Sequence, residues 1–500
     1  GREQVIREEA LRRLIDVIGG QDSSASARAV EPVIVAWQGK RTSIKARGKV
    51  EARLILEDGS EQKVQGGTLA KLPLGYHKLH VSSKAGEETS LVISAPEKLY
   101  SEPIRDWGAF LPLYAAHSSS SWGAGNFSDW ARLSRWVGQQ GGKVVGTLPI
   151  LASFLDYPKV EPSPYSPASR LFWNEFFIDV TAIPEFAASA AARRAASSAG
   201  RSLEKFRAAD FVDYPAEWAV RRKVLAILAD EFKNSPRQKE FKAYVKARPE
   251  AEHYARFRAA TEKHGTWWVW PERAKKKLSP SDYDEQAKNF YLYLQWTAQQ
   301  QVDHTLAVCE QAGVKFYLDL PLGVNSDGFD VWRYRDFFAQ GVSAGAPPDS
   351  FFTKGQDWGF APLNPIRTRE LHYKYFIEYI EFQMRHTGLL RVDHVMGLHR
   401  LWWVPHGQPA SEGAYVRYPA DELYAILSVE SHRLKTMLVG ENLGTVPPQV
   451  NKAMDRHKVR RMYVLQYEQP LKGPMRTPDQ SEVASLNTHD MPSFAAHWTG

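Results

Sequence analysis

The 500-residue chain has a single cysteine, Cys309. It can form no internal disulfide and no cysteine-based zinc site, which fits a reducing compartment such as the cytoplasm. In "HTLAVCEQAGVKF" that cysteine falls on the core face of a helix before a strand and reads as a buried, inert thiol. No run of 18 apolar residues occurs, so no membrane-spanning helix is expected. No block of five or more like charges occurs either. The formal net charge of +7 is spread along the chain, and its densest cluster, Lys275-Lys276-Lys277, reads as part of a polar loop. That pattern reads as solvated surface and argues against a nucleic-acid partner. The chain opens at Gly1 rather than Met, with no secretory leader pattern, so a native start upstream of Gly1 is the expectation.

What is abundant is tryptophan, with 16 copies. Such an excess suits proteins that bind sugars, because the apolar faces of a sugar stack on aromatic rings. The remaining composition, 43% hydrophobic and 24% charged, is that of an ordinary globular protein. Its length calls for two or more domains, or for one barrel with insertions.

Three segments can be told apart. Residues 1–29 read as a helix and linker. Val5, Ile6, Leu11, Leu14, Ile15 and Ile18 recur at helical spacing, Gly19-Gly20 ends the pattern, and "QDSSASAR" follows. Residues 30–98 are short β-branched runs separated by turns, with Asp58-Gly59 as a hairpin signal. They predict a small β-sandwich-like domain, either a spacer or a sugar-binding module. Residues 99–500 alternate strand and helix. The stretch "GNFSDWARLSRWVGQQGG" reads as a helix with Ser128 at its N-cap, and 186–262 reads as a helical insertion.

Strands are predicted at 107–115, 143–151, 314–320, 389–394, 436–441, 461–467 and 482–487. These units fit an α/β fold, a TIM-type (β/α)8 barrel, better than an open sheet. The chain ends ten residues after Asp490, so the last barrel unit is expected to be missing.

The chemistry gathers at the strand ends. The third strand ends in Asp319, the fourth in Arg391, Asp393 and His394, the fifth in Glu441, and the seventh in Asn487, His489 and Asp490. In a β/α barrel such ends converge on one face. Retaining glycoside chemistry needs a carboxylate nucleophile and a carboxylic acid, roughly 5–5.5 Å apart, with separated pKa values. A third carboxylate can orient sugar hydroxyls. Arg391, two residues from Asp393, lies on the same side of the strand and can pair with it. His394 and His489 can hydrogen-bond substrate. Asp and His at one rim can also ligate Mg²⁺ or Zn²⁺, but no His pair has zincin spacing, so no metal and no cofactor is expected. The loop "SWGAGNF" lacks phosphate-cradle spacing and reads as a cleft-lining loop after the first strand.

The ordered stretches "SSSSWGAGNFSDW", "SPYSPASRLFWNEFFIDV", "KFYLDLPLGV", "GQDWGFAPLNP", "LLRVDHVMGLHRLWWVP", "LVGENLGTVP" and "NTHDMPSF" resemble the amylomaltase, or 4-α-glucanotransferase, family, related to the α-amylases. They span roughly residues 107–500. The resemblance implies a cytoplasmic enzyme, monomer or homodimer, acting on maltooligosaccharides and α-glucans. It implies Asp393 as nucleophile, Glu441 as general acid/base and Asp490 as transition-state stabiliser, supported by Arg391 and His489. His394, Asn487, Asp319, Asn325, Ser163, Tyr165 and Trp358 would contact sugar. The chain departs from many members in carrying Asn442 after Glu441, and its β-rich segment looks like the extension of some bacterial members. Two other readings stay open: a hydrolase on the same scaffold, and a glucan-binding protein without catalysis.

Overall fold

The structure is a computed structural model that describes residues 6–19, 28–64, 66–69, 71–84, 86–103, 105–349, 352–470 and 472–499. The chain divides into two compact units, one formed by residues 1–105 with 336–500 and the other by 106–335.

The first unit opens with helix α1, Glu8–Ile18, which buries Ala10 and Leu14 and is capped by Gly19 at φ 90°. Only glycine enters that left-handed cap without a Cβ clash. The helical residues expected before position 6 and the linker at 20–27 lie outside the described residues. Strands β1 (Val33–Trp37), β2 (Glu51–Ile55), β3 (Glu61–Lys63), β4 (Gly75–Ser83) and β5 (Gly86–Ala95) form one sheet in the order β1-β5-β4-β2-β3. The hairpin at Asp58-Gly59 joins β2 to β3, with Gly59 at φ 87°. A two-stranded sheet, Thr42–Ser43 with Thr68–Leu69, accompanies it. Leu54, Leu79, Val81 and Val92 from the larger sheet and Leu69 from the smaller share one core.

The second unit begins with β6, Gly108–Phe110, much shorter than the predicted run. Pro112 has no N–H to extend a ladder, and the chain turns into a 3-10 segment at Leu113–Ala115. Helix α2, Phe127–Gln139, is capped by Asn126, not by Ser128 as its sequence suggests. Asn126 is extended, its side chain accepts the Asp129 N–H at 3.0 Å, and the Asp129 carboxylate accepts the Asn126 N–H at 3.1 Å. This reciprocal box places Ser128 inside the first turn. Asn126→Ala is expected to destabilise this unit by about 1–2 kcal/mol, read as a lower urea midpoint.

Strand β7 (Val144–Gly146) runs parallel to β6. A mainly helical stretch follows, including α3 (Tyr214–Glu231), α4 (Pro249–His264) and the 27-residue α5 (Glu285–Gln311). Strand β8 (Lys315–Leu320) then pairs parallel with β7. Cys309 is buried on α5, and burial pushes its thiol up to about 11. Ion pairs are buried in this unit: Arg221 with Glu217 at 3.6 Å and Arg258 with Glu175 at 3.8 Å. The Glu217 carboxylate takes the Ala124 N–H at 2.9 Å and fills the space beside Gly123, where a Cβ would stand 2.4 Å from its Oε1. The first glycine of "SWGAGNF" thus makes room for the chain's own carboxylate.

The first unit resumes with β9 (Val342–Ala346), β10 (Gln356–Asp357), β11 (Leu389–Val392), β12 (Arg400–Pro405) and β13 (Ala414–Arg417). Strands β10-β9-β12-β13 make an antiparallel sheet that the β/α alternation does not anticipate. Five of the six residues of β12, "RLWWVP", are buried, so no period-2 pattern marks it. Helix α6 (Ala420–Leu434) leads to β14 (Met437–Gly440), parallel to β11. Helix α7 (Pro448–His457) leads to β15 (Arg461–Val464), parallel to β16 (Glu482–Ser485). Past Val464 the chain makes a helical turn, Leu465–Glu468, where the sequence predicts strand to 467. The paired register with β16 stops at Val464↔Ser485, and past it the Gln466 N–H donates to Leu486 O at 3.3 Å from within the helical turn.

Candidate active site

All four residues of β11 are buried, including Arg391. A buried guanidinium is costly without a partner. Its partner is Asp393, with Nη1 3.0 Å from Oδ1. Positions 391 and 393 share one side of the strand because side chains alternate. His394 then takes a left-handed φ of 45°, which ends the strand and starts a 3-10 turn, Val395–Leu398. Its ring packs edge-on against Trp358, centroids 5.2 Å apart. Burial lowers the His394 pKa from 6.5, so the imidazole is neutral at pH 7.

The β11–β14 register sets Val392 beside Gly440, and the next residue of each strand is a carboxylate, Asp393 and Glu441. Backbone bonds lock this end: the Glu441 N–H donates to Val392 O at 2.9 Å, and the Val395 N–H donates to Glu441 O at 3.0 Å. Gly440 is required by close approach, since a Cβ there would meet Met454 and Val395 at 2.8 Å. The Glu441 carboxyl accepts the N–H groups of His394 at 3.1 Å and Leu443 at 2.6 Å. Burial pushes its pKa up to about 7, and the Asp393 charge adds to the rise. Arg391 and the two N–H donors act in the opposite direction. These donors are backbone groups, which no motif in the sequence reveals.

In the same unit, Asp490 is 75% exposed and lies 3.1 Å from His489 Nε2. Hydrogen bonding to His489, together with the charges of His489 and Arg391, holds its carboxyl below the usual range. Asn487 donates to Pro492 O at 3.2 Å. The Arg391 field therefore reaches both Asp393 and Asp490.

The second unit holds its own cluster. Asp319, 2% exposed at the end of β8, accepts the Tyr165 hydroxyl at 2.6 Å. Ser163 Oγ accepts the Tyr165 N–H at 3.3 Å, and Asn325 donates to Ser166 Oγ at 3.0 Å. The "SPYSP" loop is thus fastened to the strand end by its tyrosine. Among the described residues, no group of three or more His, Cys, Asp or Glu is placed to hold a metal ion. No helix among them is long and apolar enough to cross a membrane.

A buried carboxyl with a raised pKa beside an ion-paired carboxylate has the two unlike environments that separate an acid from a nucleophile. Residues 111–500 match the family described as 4-alpha-glucanotransferase, and residues 29–96 match the MalQ N-terminal beta sandwich domain. The 4-alpha-glucanotransferase of Mycobacterium tuberculosis is 33% identical over 459 residues, covering 86% of this chain. That of Haemophilus influenzae is 32% identical over 467 residues, again covering 86%. The chain spans 63% and 66% of the length of these two relatives. The amylomaltase of Corynebacterium glutamicum has the same fold, with a TM-score of 0.84 at 25% identity over 100% of this chain and 78% of that one. The amylomaltase of Streptococcus agalactiae, solved with acarbose, gives 0.62 at 20% identity over 73% and 74% of the two chains. With an N-terminal β domain ahead of a glycoside hydrolase-type catalytic part, the chain belongs to the 4-alpha-glucanotransferase family.

Proposed function

We propose that this chain moves α-1,4-glucan segments from a donor maltooligosaccharide to the 4-hydroxyl of glucose or another glucan, with retention. Asp393 attacks the anomeric carbon and forms a glycosyl ester. The bond to the leaving glucan breaks, and Glu441 gives its proton to the departing O4. The acceptor 4-hydroxyl then loses its proton to Glu441 as its oxygen bonds the anomeric carbon and releases Asp393. The observation that carries this reading is the Glu441 carboxyl at about 7 next to Asp393 and its Arg391 partner. An acid poised near neutrality can give and take a proton in one cycle.

Asp490 orients sugar hydroxyls and steadies the transition state, aided by His489 and Asn487. His394, Trp358, Asp319, Asn325, Tyr165 and Ser163 contact sugar. The reading includes a TIM-type (β/α)8 scaffold over residues 99–500 with a helical insertion at 186–262, for which the alternation of parallel strands and helices speaks. It places residues 1–29 as helix and linker and 30–98 as a β-sandwich-like domain. The protein works in the cytoplasm, as a monomer or homodimer, without metal or cofactor; its one buried thiol suits that compartment.

Incubation with maltotriose tests the proposal. Thin-layer chromatography is expected to show glucose and a ladder of longer oligosaccharides. Only shorter sugars would mean a hydrolase, and unchanged maltotriose with folded protein would mean a glucan-binding protein.

A further inference from the structure

The turn that follows Asp393 is held from behind. It ends at His399, whose Nε2 lies 3.2 Å from the Tyr424 hydroxyl. Tyr424 sits on α6 and is buried. Its ring stacks on His457, centroids 4.4 Å apart and planes within 13°. His457 is the last residue of α7, the helix that follows the Glu441 loop. Trp37, the last residue of β1, packs 5.2 Å from the same imidazole. The His457 Nδ1 meets Glu97 O at 2.6 Å, and the His457 carbonyl accepts the Leu99 N–H at 2.9 Å. A continuous path of rings and hydrogen bonds thus runs from the N-terminal sheet to the turn after Asp393.

The β domain is fastened to the same helices at other points. The Tyr76 hydroxyl donates to Glu430 at 2.7 Å, and Ser428 donates to Pro96 O at 2.7 Å. Just past the domain, the Tyr100 N–H donates to Ser431 Oγ at 2.8 Å. Glu97, which also pairs with Lys40 of its own domain at 2.8 Å, pairs with Arg456 of α7 at 2.6 Å. A spacer or a free sugar-binding module needs none of these bonds, and a single flexible linker would not make them.

We propose that the N-terminal β domain is part of the support of the active site, and that Tyr424 is the positioning residue through which it holds the turn after Asp393. The proposal deepens the transferase reading and rests on it. The physical need is clear. A nucleophile must stand within about 3–3.5 Å of the anomeric carbon, and a shift of about 1 Å costs up to about a hundredfold in rate. His394 occupies a left-handed conformation that persists only where surrounding structure imposes it. Burial raises the Tyr424 pKa and lowers that of His399, so a phenol faces a neutral imidazole.

Tyr424→Phe tests this, because it removes one hydroxyl and leaves the ring stack. Its kcat for maltotriose disproportionation is expected to fall about tenfold while KM changes by less than about twofold. Amide hydrogen exchange over residues 395–399 is expected to speed up by about tenfold. His399→Ala should match it, and His399→Gln, whose amide reaches the same hydroxyl, should restore most of the rate. Tyr424→Phe with the kcat and exchange of the parent chain would overturn the proposal. Exchange reads the turn whether or not the chain transfers glucan, so failure of the brace and failure of the transferase reading give different results.

Discussion

Asp393→Asn is expected to lower the rate of glucose release from maltotriose by at least about 10⁴-fold, in line with loss of a covalent nucleophile elsewhere. The amide matches the carboxylate in shape, so the strand end should keep its form. It cannot form the glycosyl ester, and it leaves Arg391 facing a neutral group in a buried setting. Chemical rescue makes the assignment specific. In Asp393→Ala, azide should enter the vacated side and attack an α-glucosyl fluoride once, giving the β-azide. Full activity in a folded Asp393→Asn chain would remove Asp393 from the mechanism.

Glu441→Gln is expected to cost about 10²–10⁴-fold on maltotriose, the range of a lost general acid/base. The loss should shrink on α-glucosyl fluoride in the first step, because fluoride leaves without a proton. Azide should then attack the glycosyl ester and give the α-azide, the opposite anomer from the Asp393 variant. For the parent chain, kcat/KM should decline as pH rises through about 7, where Glu441 loses its proton.

The same carboxyl predicts a gain in stability. Its folded pKa lies above the ordinary 4.5, so the folded chain holds that proton more tightly than the unfolded chain. Below both values the group costs nothing. The cost appears as pH rises from 4.5 and is complete above about 7. Glu441→Gln should therefore raise the unfolding midpoint at pH 8 and leave it nearly unchanged at pH 4, by an amount worth about 1–3 kcal/mol. An equal shift at both pH values would mean that ionisation is not its cause.

Much of this site is legible in the sequence because strands advertise themselves at their ends. The runs before Asp319, Asp393 and Glu441 are short and mostly apolar, and the carboxylate that closes each stands out against them. The Arg391–Asp393 pairing follows from period-2 geometry alone, and the structure contains it at 3.0 Å. The N-terminal β-rich segment is likewise visible, through alternation and the Asp58-Gly59 turn. What stays hidden depends on burial. Strand β12 is apolar on both faces and carries no alternation. The Asn126 cap is hidden because Ser128 offers an equally good side chain two residues later, and only the extended backbone at 126 decides between them. The link from Trp37 through His457 and Tyr424 to His399 joins residues hundreds of positions apart, and no local pattern encodes it.

The buried pair Glu217–Arg221 bears on how this sequence can change over generations. Losing either member alone strands a charge in the interior, at about 3–5 kcal/mol, a large part of a domain's stability. Gly123 is tied to the same spot, since any side chain there collides with the Glu217 carboxylate. These three positions cannot drift one at a time. A lineage that replaces the pair must pass through an impaired intermediate or change both residues together. The alanine- and arginine-rich helices around them look free to vary, yet at their centre they should co-vary as a block.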